Sequence, residues 1–298
     1  MESPLIVFLA TKHQRSAIAL SFIAALTGLA AAPAQAHEYW VEPQIYLNAP
    51  GAELHGDLKN GMDFRGSTYP YIQREIDSFT VTGPDGGMPV EGRNGDLPAF
   101  RMMAEKPGLY SVSYQGQFSR ITFTDPDKIE LYVTYEGLDG VLERHLARGL
   151  ARDRLREFYA RCAKALYQVG DPAEDGNQDG LTGMKFELVA EKNPYLLTDS
   201  DQLPVRLYWQ GEPAGDVQIR WFRYLEQSQT GTVRTDREGR ASIPLAGGGK
   251  FMINAVHIYE GDDDPDTETP DWYSYWASMT FGIAGTDAVL QEAREKAQ

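Results

Sequence analysis

The opening segment decides which chain folds. Ser16 to Ala32 is an unbroken run of small and apolar residues, with Lys12 and Arg15 before it and Ala34-Gln35-Ala36 after it. A positive start, an apolar stretch and a small-x-small exit are the marks of a secretory leader. The run is about 17 residues, the short limit for crossing a bilayer, so residues 1–36 are expected to be cleaved rather than kept as an anchor. No later stretch is apolar enough to span a membrane. The expected compartment is the periplasm or the outside, and the folding chain would begin at His37.

Composition removes several classes. The 298 residues carry a formal charge of −15, which repels nucleic acid and anionic membranes. A hydrophobic content of 42% with 11% aromatics is too high for a disordered chain. The single cysteine, Cys162, can form no internal disulfide and reads as a buried packing residue.

Residues 37–135 are strand-rich. Ile76 to Val81 alternates before Gly83-Pro84-Asp85-Gly86-Gly87 breaks it, and Tyr110, Val112 and Tyr114 share one face of a later strand. Over 136–170 the period changes. Leu138, Val141, Leu142 and Leu146, then Leu155, Phe158, Tyr159, Cys162, Leu166 and Val169, fall at helical spacing and predict a pair of helices. From 171 to 284 the β pattern returns, with Val205, Leu207 and Trp209 alternating, and Val217, Ile219 and Trp221 likewise. Residues 285–298 form a polar tail. The expected fold is mainly β: two antiparallel β-sandwiches joined by a short helical connector.

An N-terminal histidine carries an α-amine and an imidazole on one residue, and together they can chelate a metal. His37 would hold that place after cleavage. His257, in the strand Asn254 to Tyr259, is the candidate for a second imidazole. His55 has no evident role, and His145 beside Arg144 and Arg148 reads as a surface residue. Asp175, Asn177 and Asp179, with Gly180, match the first half of a calcium loop, but the twelfth position is Phe186 instead of a glutamate. The acidic loop Asp262-Asp263-Asp264-Pro265-Asp266 reads as solvated. There is no Gly-x-Ser-x-Gly, no His-Glu-x-x-His and no phosphate-cradling glycine loop. Abundant carboxylates leave a glycosidase open.

Several segments together resemble the periplasmic family of domain of unknown function 4198, whose members are described as nickel/cobalt uptake accessory proteins. They are His37-Glu38-Tyr39-Trp40-Val41-Glu42-Pro43, Tyr135-Glu136-Gly137-Leu138-Asp139, Tyr159 to Leu166 with Val169-Gly170, Phe186-Glu187-Leu188-Val189 with Asn193-Pro194-Tyr195, Ala255-Val256-His257, and Asp271 to Phe281. Cys162 departs from the tyrosine-like residue expected there. The resemblance implies a transthyretin- or carboxypeptidase-regulatory-like C-terminal sandwich. It also implies a non-enzymatic metal-handling role, in which His37 and His257 hold nickel, cobalt or copper and serve a membrane metal-uptake transporter. Asp271 would be an oxygen ligand or would orient a ligating histidine. The same nitrogens would suit a histidine-brace copper oxygenase acting on polysaccharide. A metal-free sandwich module that binds a protein or glycan is the third possibility. The metal readings require His37 and His257 to meet.

Overall fold

The computed structural model describes residues 37–176, 178–225, 228–261, 269–283 and 285–288. Among these, ten strands form one large sheet. Its continuous path runs Ser228–Arg234, Gln218–Tyr224, Lys250–Glu260, Trp272–Phe281, Leu155–Val169, Gly108–Gly116, Ile76–Gly83, Gly86–Pro89. Two smaller sheets pack against it. One comprises Glu38–Pro43, Ala52–Met62, Arg65–Tyr69 and Phe100–Ala104; the other comprises Phe186–Ala190, Gln202–Trp209, Glu212–Pro213 and Arg240–Pro244. The chain is mainly β, as expected, and the two sandwiches share a sheet.

The central strand shows how they share it. Side chains of a strand alternate between faces. Ala163, Ala165, Tyr167 and Val169 enter the core under the N-terminal small sheet, with Val41, Leu54 and Phe100. Cys162 and Leu166 enter the core under the C-terminal small sheet, with Phe186, Leu207 and Phe251. The small sheets therefore lie on opposite faces of the large one.

The helical connector needs correction. Pro126–Tyr135 and Val141–Ala147 are helices, but Leu155–Val169 is a fifteen-residue strand. Asp125 caps the first helix by accepting from the Asp127 amide at 3.0 Å, and Pro126 fits the first turn. Ile129, Tyr132, Leu138 and Val141 then cover Val256, Trp272 and Trp276. The strand looks helical in sequence because both of its faces are buried. A strand with two buried faces loses its alternation, and a subset of its apolar residues falls at helical spacing by chance. His145 is also corrected. It is fully buried, with Trp272 Nε1 donating to its Nδ1 at 3.0 Å and Ala151 O 3.0 Å from its Nε2. Those partners fix the tautomer that carries hydrogen on Nε2. The polar tail is anchored at its start, since Thr286 is buried and donates to Gly249 O at 3.0 Å.

Lys164, on the central strand, has a fully buried ammonium. It lies 2.7 Å from Glu187 Oε1 and 3.2 Å from Asp179 Oδ1, and it donates to Gly180 O at 2.9 Å. Both carboxylates have further donors: Ser111 Oγ and the Ala190 amide for Asp179, and the Thr182, Gly183 and Met184 amides for Glu187. Removing one member of such a set leaves buried charge uncompensated, at a cost of about 3–5 kcal/mol. Lys164→Ala should therefore lower the urea-unfolding free energy by about 3–5 kcal/mol. A loss under about 1 kcal/mol, as for an exposed pair, would show that the triad is not holding the 179–187 loop to the sheet.

Candidate functional site

The N-terminal strand sets the site. Glu38–Pro43 pairs antiparallel with Ala52–Met62, placing Glu38 opposite Gly61 and Tyr39 opposite Asn60. Its other edge faces the large sheet, where Ser278 Oγ donates to Tyr39 O at 2.6 Å and Thr280 Oγ1 donates to Val41 O at 2.5 Å. His37, one residue upstream, lines a pocket of about 70 Å³ with Asn60, Glu157, Tyr159, Arg161 and Trp276.

This region gathers buried polar atoms that lack hydrogen-bond partners: His37 Nδ1, Glu38 Oε2, Tyr135 Oη, Glu157 Oε2, Arg161 Nη1 and Arg220 Nε. Such atoms are uncommon in folded proteins, and each calls for an explanation. Arg161 is held between rings, its Cζ 4.8 Å from the Tyr159 centroid and 4.5 Å from that of Trp276. Glu157 accepts on Oε1 both from Tyr132 Oη, at 3.1 Å, and from Ser274 Oγ. Arg220 lies over the Tyr135 ring at 3.7 Å and donates to Tyr135 O at 2.5 Å.

Electrostatics follow from burial. Desolvation pushes the Glu38 carboxyl up to about 7. Desolvation, with Glu38 nearby, pushes Glu136 up to about 8. Desolvation, reinforced by the positive charge of Arg161, lowers the pKa of His37 and keeps its imidazole neutral. The carboxylates Glu38, Glu136 and Glu157 outnumber the guanidiniums Arg161 and Arg220. Burial raises the Glu157 carboxyl as well, and so holds all three carboxyls toward their protonated form.

The expected ligand set does not assemble, and this is the main correction. His37 shares its pocket with Trp276, whereas His257 packs on Trp209 at 4.3 Å and Phe186 at 5.7 Å between ring centroids. His257 pairs across the sheet with Tyr275, and Tyr275 also meets Trp209, at 5.2 Å. Tyr275 and Trp276 are consecutive in one strand and point to opposite faces. The two histidines are therefore separated by the large sheet. Asp271 is also committed elsewhere. It takes the Arg156 side chain on Oδ1 at 2.6 and 3.0 Å, and the Arg156 amide on Oδ2 at 2.8 Å. Among the described residues no three His, Cys, Asp or Glu side chains gather closely enough to hold a metal ion.

The calcium expectation is corrected at Asp179, whose carboxylate turns inward to Lys164. Asn177, the Asp175 side chain and the Asp262–Asp266 loop lie outside the described residues. His55 sits on the Ala52–Met62 strand, with Nε2 2.5 Å from Glu53 Oε2. Cys162 donates to Gln115 Oε1 at 3.7 Å, and burial pushes its thiol up to about 12, so it packs as expected.

Sequence reasoning missed Glu38, Glu157 and Arg161. A signal was present: Glu157, Arg161 and Lys164 interrupt a long apolar run, and buried charges need partners.

The family model for a domain of unknown function, DUF4198, matches residues 34–259. The chain belongs to this family. Within the DUF4198 region lie His37, the whole central strand and His257. A solved structure described as the D0-D1 domain of Intimin matches at 12% identity over 82% of this chain and 97% of that chain, with a TM-score of 0.18. That superposition is too poor to imply a common fold. No curated protein matches the chain. Among the described residues no helix is long and apolar enough to cross a membrane.

The raised carboxyls give a pH signature. A carboxyl that keeps its proton in the folded chain, but loses it at about 4.3 when unfolded, stabilises the fold less as pH rises. The contribution is intact below about 4.3 and is lost as pH climbs through about 7 for Glu38 and about 8 for Glu136. The thermal midpoint should fall between pH 5 and 8, and Glu136→Gln should flatten that fall. An unchanged slope in Glu136→Gln would show that this carboxyl is already ionised in the fold.

Proposed function

We propose that the chain is an exported, non-enzymatic binding protein that carries one divalent transition metal, nickel, cobalt or copper, on His37. One observation carries the reading: His37 Nδ1 is buried and has no hydrogen-bond partner. Leaving such an atom unsatisfied costs about 1–3 kcal/mol, which a ligand would recover. Cleavage after Ala36 puts a free α-amine on the same residue. Amine and Nδ1 then close a chelate, and imidazole binds metal in the neutral form that burial favours, while the Arg161 charge opposes a bound ion as it opposes a proton. The Glu157 carboxylate, unpartnered at Oε2 in the same pocket, is the side chain that would balance the ion's charge. Two nitrogens from one residue leave coordination positions for solvent or a partner. This suits hand-over to a membrane metal-uptake transporter. The copper-oxygenase alternative loses its second imidazole, because His257 lies on the other face. Asp271 and the calcium loop have no part in this reading.

The test is nickel and copper titration by calorimetry on protein exported with its natural N-terminus. A single equivalent should bind. Protein beginning Met-His, and His37→Ala, should each bind roughly tenfold or more weakly, a loss of about 1.4 kcal/mol or greater, while His257→Ala should bind as the parent does. Equal binding by the Met-His protein would remove the amine from the site. Full binding by His37→Ala would favour the metal-free interaction module.

A further inference from the structure

We infer that the cleft beside His37 binds a small organic anion, a ring-bearing carboxylate, with Arg161 receiving its charged end. The cleft has a volume of about 340 Å³ and is walled by Tyr39, Tyr69, Tyr114 and Phe118. That is at the small end of the roughly 300–1,000 Å³ typical of small-molecule sites. Arg161, Tyr159 and Asn60 line both this cleft and the His37 pocket, so the two spaces share a wall.

Three observations point to an anion with a flat body. First, Arg161 Nη1 is buried and unpartnered, although guanidinium N–H groups almost always find acceptors when desolvated. Second, the Tyr159 and Trp276 rings hold the guanidinium in place, so the fork is set before a ligand arrives and little rotamer freedom is lost on binding. Third, the charged groups lining the cleft are Arg161, Arg74 and Glu75, and Glu75 is 3.7 Å from Arg74. Glu157 and Glu38, whose charges act on Arg161, do not line the cleft, so on its wall the guanidinium is not offset by a carboxylate of its own. Planar guanidinium pairs with carboxylate through two parallel hydrogen bonds, and the tyrosine and phenylalanine walls offer faces and edges for a ring.

The inference does not depend on metal binding, so the test uses metal-stripped protein. The mature chain, kept in EDTA, is titrated with 4-hydroxybenzoate and with the uncharged 4-hydroxybenzamide, followed by calorimetry and tryptophan fluorescence. The carboxylate should bind saturably, and the amide at least about tenfold more weakly, the order expected for a lost charge-assisted hydrogen bond. Arg161→Gln should lose a similar factor for the carboxylate. Tyr69, 41% exposed at the cleft wall, can be replaced without disturbing a core, and Tyr69→Ala should weaken carboxylate binding several-fold. This second variant decides the matter even if Arg161→Gln does not fold. Equal affinity for amide and carboxylate, no saturable binding of the carboxylate, or unchanged affinity in a folded Arg161→Gln or in Tyr69→Ala would overturn the inference.

Discussion

The parallel pairing of Leu155–Val169 with Trp272–Phe281 is the constraint on which the rest depends. It runs from Glu157 opposite Trp272 to Ala165 opposite Thr280. Farther along, the same central strand pairs antiparallel with Gly108–Gly116. Without it the N-terminal and C-terminal halves would be two separate sandwiches, each with an exposed edge. Such edges are liabilities in free sheets. Joining them buries the strand on both faces, and its charged residues must then be satisfied from both sides. Lys164 is satisfied within the C-terminal core by Asp179 and Glu187. Arg161, on the opposite face, keeps an unpartnered Nη1. One strand therefore carries both a closed polar network and an open one. The closed one fixes a loop to the sheet, and the open one lines a cleft.

The N-terminal strand depends on that arrangement. Glu38–Pro43 is the edge of its small sheet, and its outward carbonyls would otherwise face an apolar layer. Ser278 and Thr280 supply the missing donors from the face of the large sheet. Trp40 then seats fully buried among Phe64, Phe222 and Met252. With the strand held along its length, the residue that precedes it is delivered to the pocket of Arg161 and Glu157. The position of His37 is thus a consequence of packing two residues and more downstream.

The mainly β class was legible in the sequence because alternation and turn residues report local geometry directly, whereas the burial of Cys162 was read from its residue type and from an apolar stripe taken as helical that is a strand. The helix around Pro126–Tyr135 carried an Asp-Pro start, yet its residues were read as the end of a β region. The Leu155–Val169 strand was hidden by burial on both faces, which erases the period on which strand recognition rests. Asp179 looked like an ion ligand because spacing within a loop cannot show that the carboxylate turns inward to a lysine fifteen residues earlier. His145 looked exposed beside Arg144 and Arg148, but the Trp272 indole that holds it is far away in sequence. For the buried strand, Asp179 and His145 the missing information was a long-range contact, whereas the helix carried a local signal.

The same logic governs the histidines. Sequence could place His37 at the expected mature N-terminus and His257 in a strand, but convergence depends on strand parity. Val256 and Trp276 are paired, as are His257 and Tyr275. A shift of one residue in that pairing would turn His257 toward the His37 face, but it would also expel Ala255, Ile253 and Phe251 from their core. Burial of those apolar side chains fixes the register, and the register assigns His257 to the box of Trp209, Phe186 and Tyr259. Burial there lowers the His257 pKa and keeps the ring neutral. Its aromatic neighbours offer it faces and edges for packing, not a second set of metal donors. Function that involves His37 must therefore be built from the groups on its own face, which are Glu38, Glu157, Arg161 and the cleft beyond them.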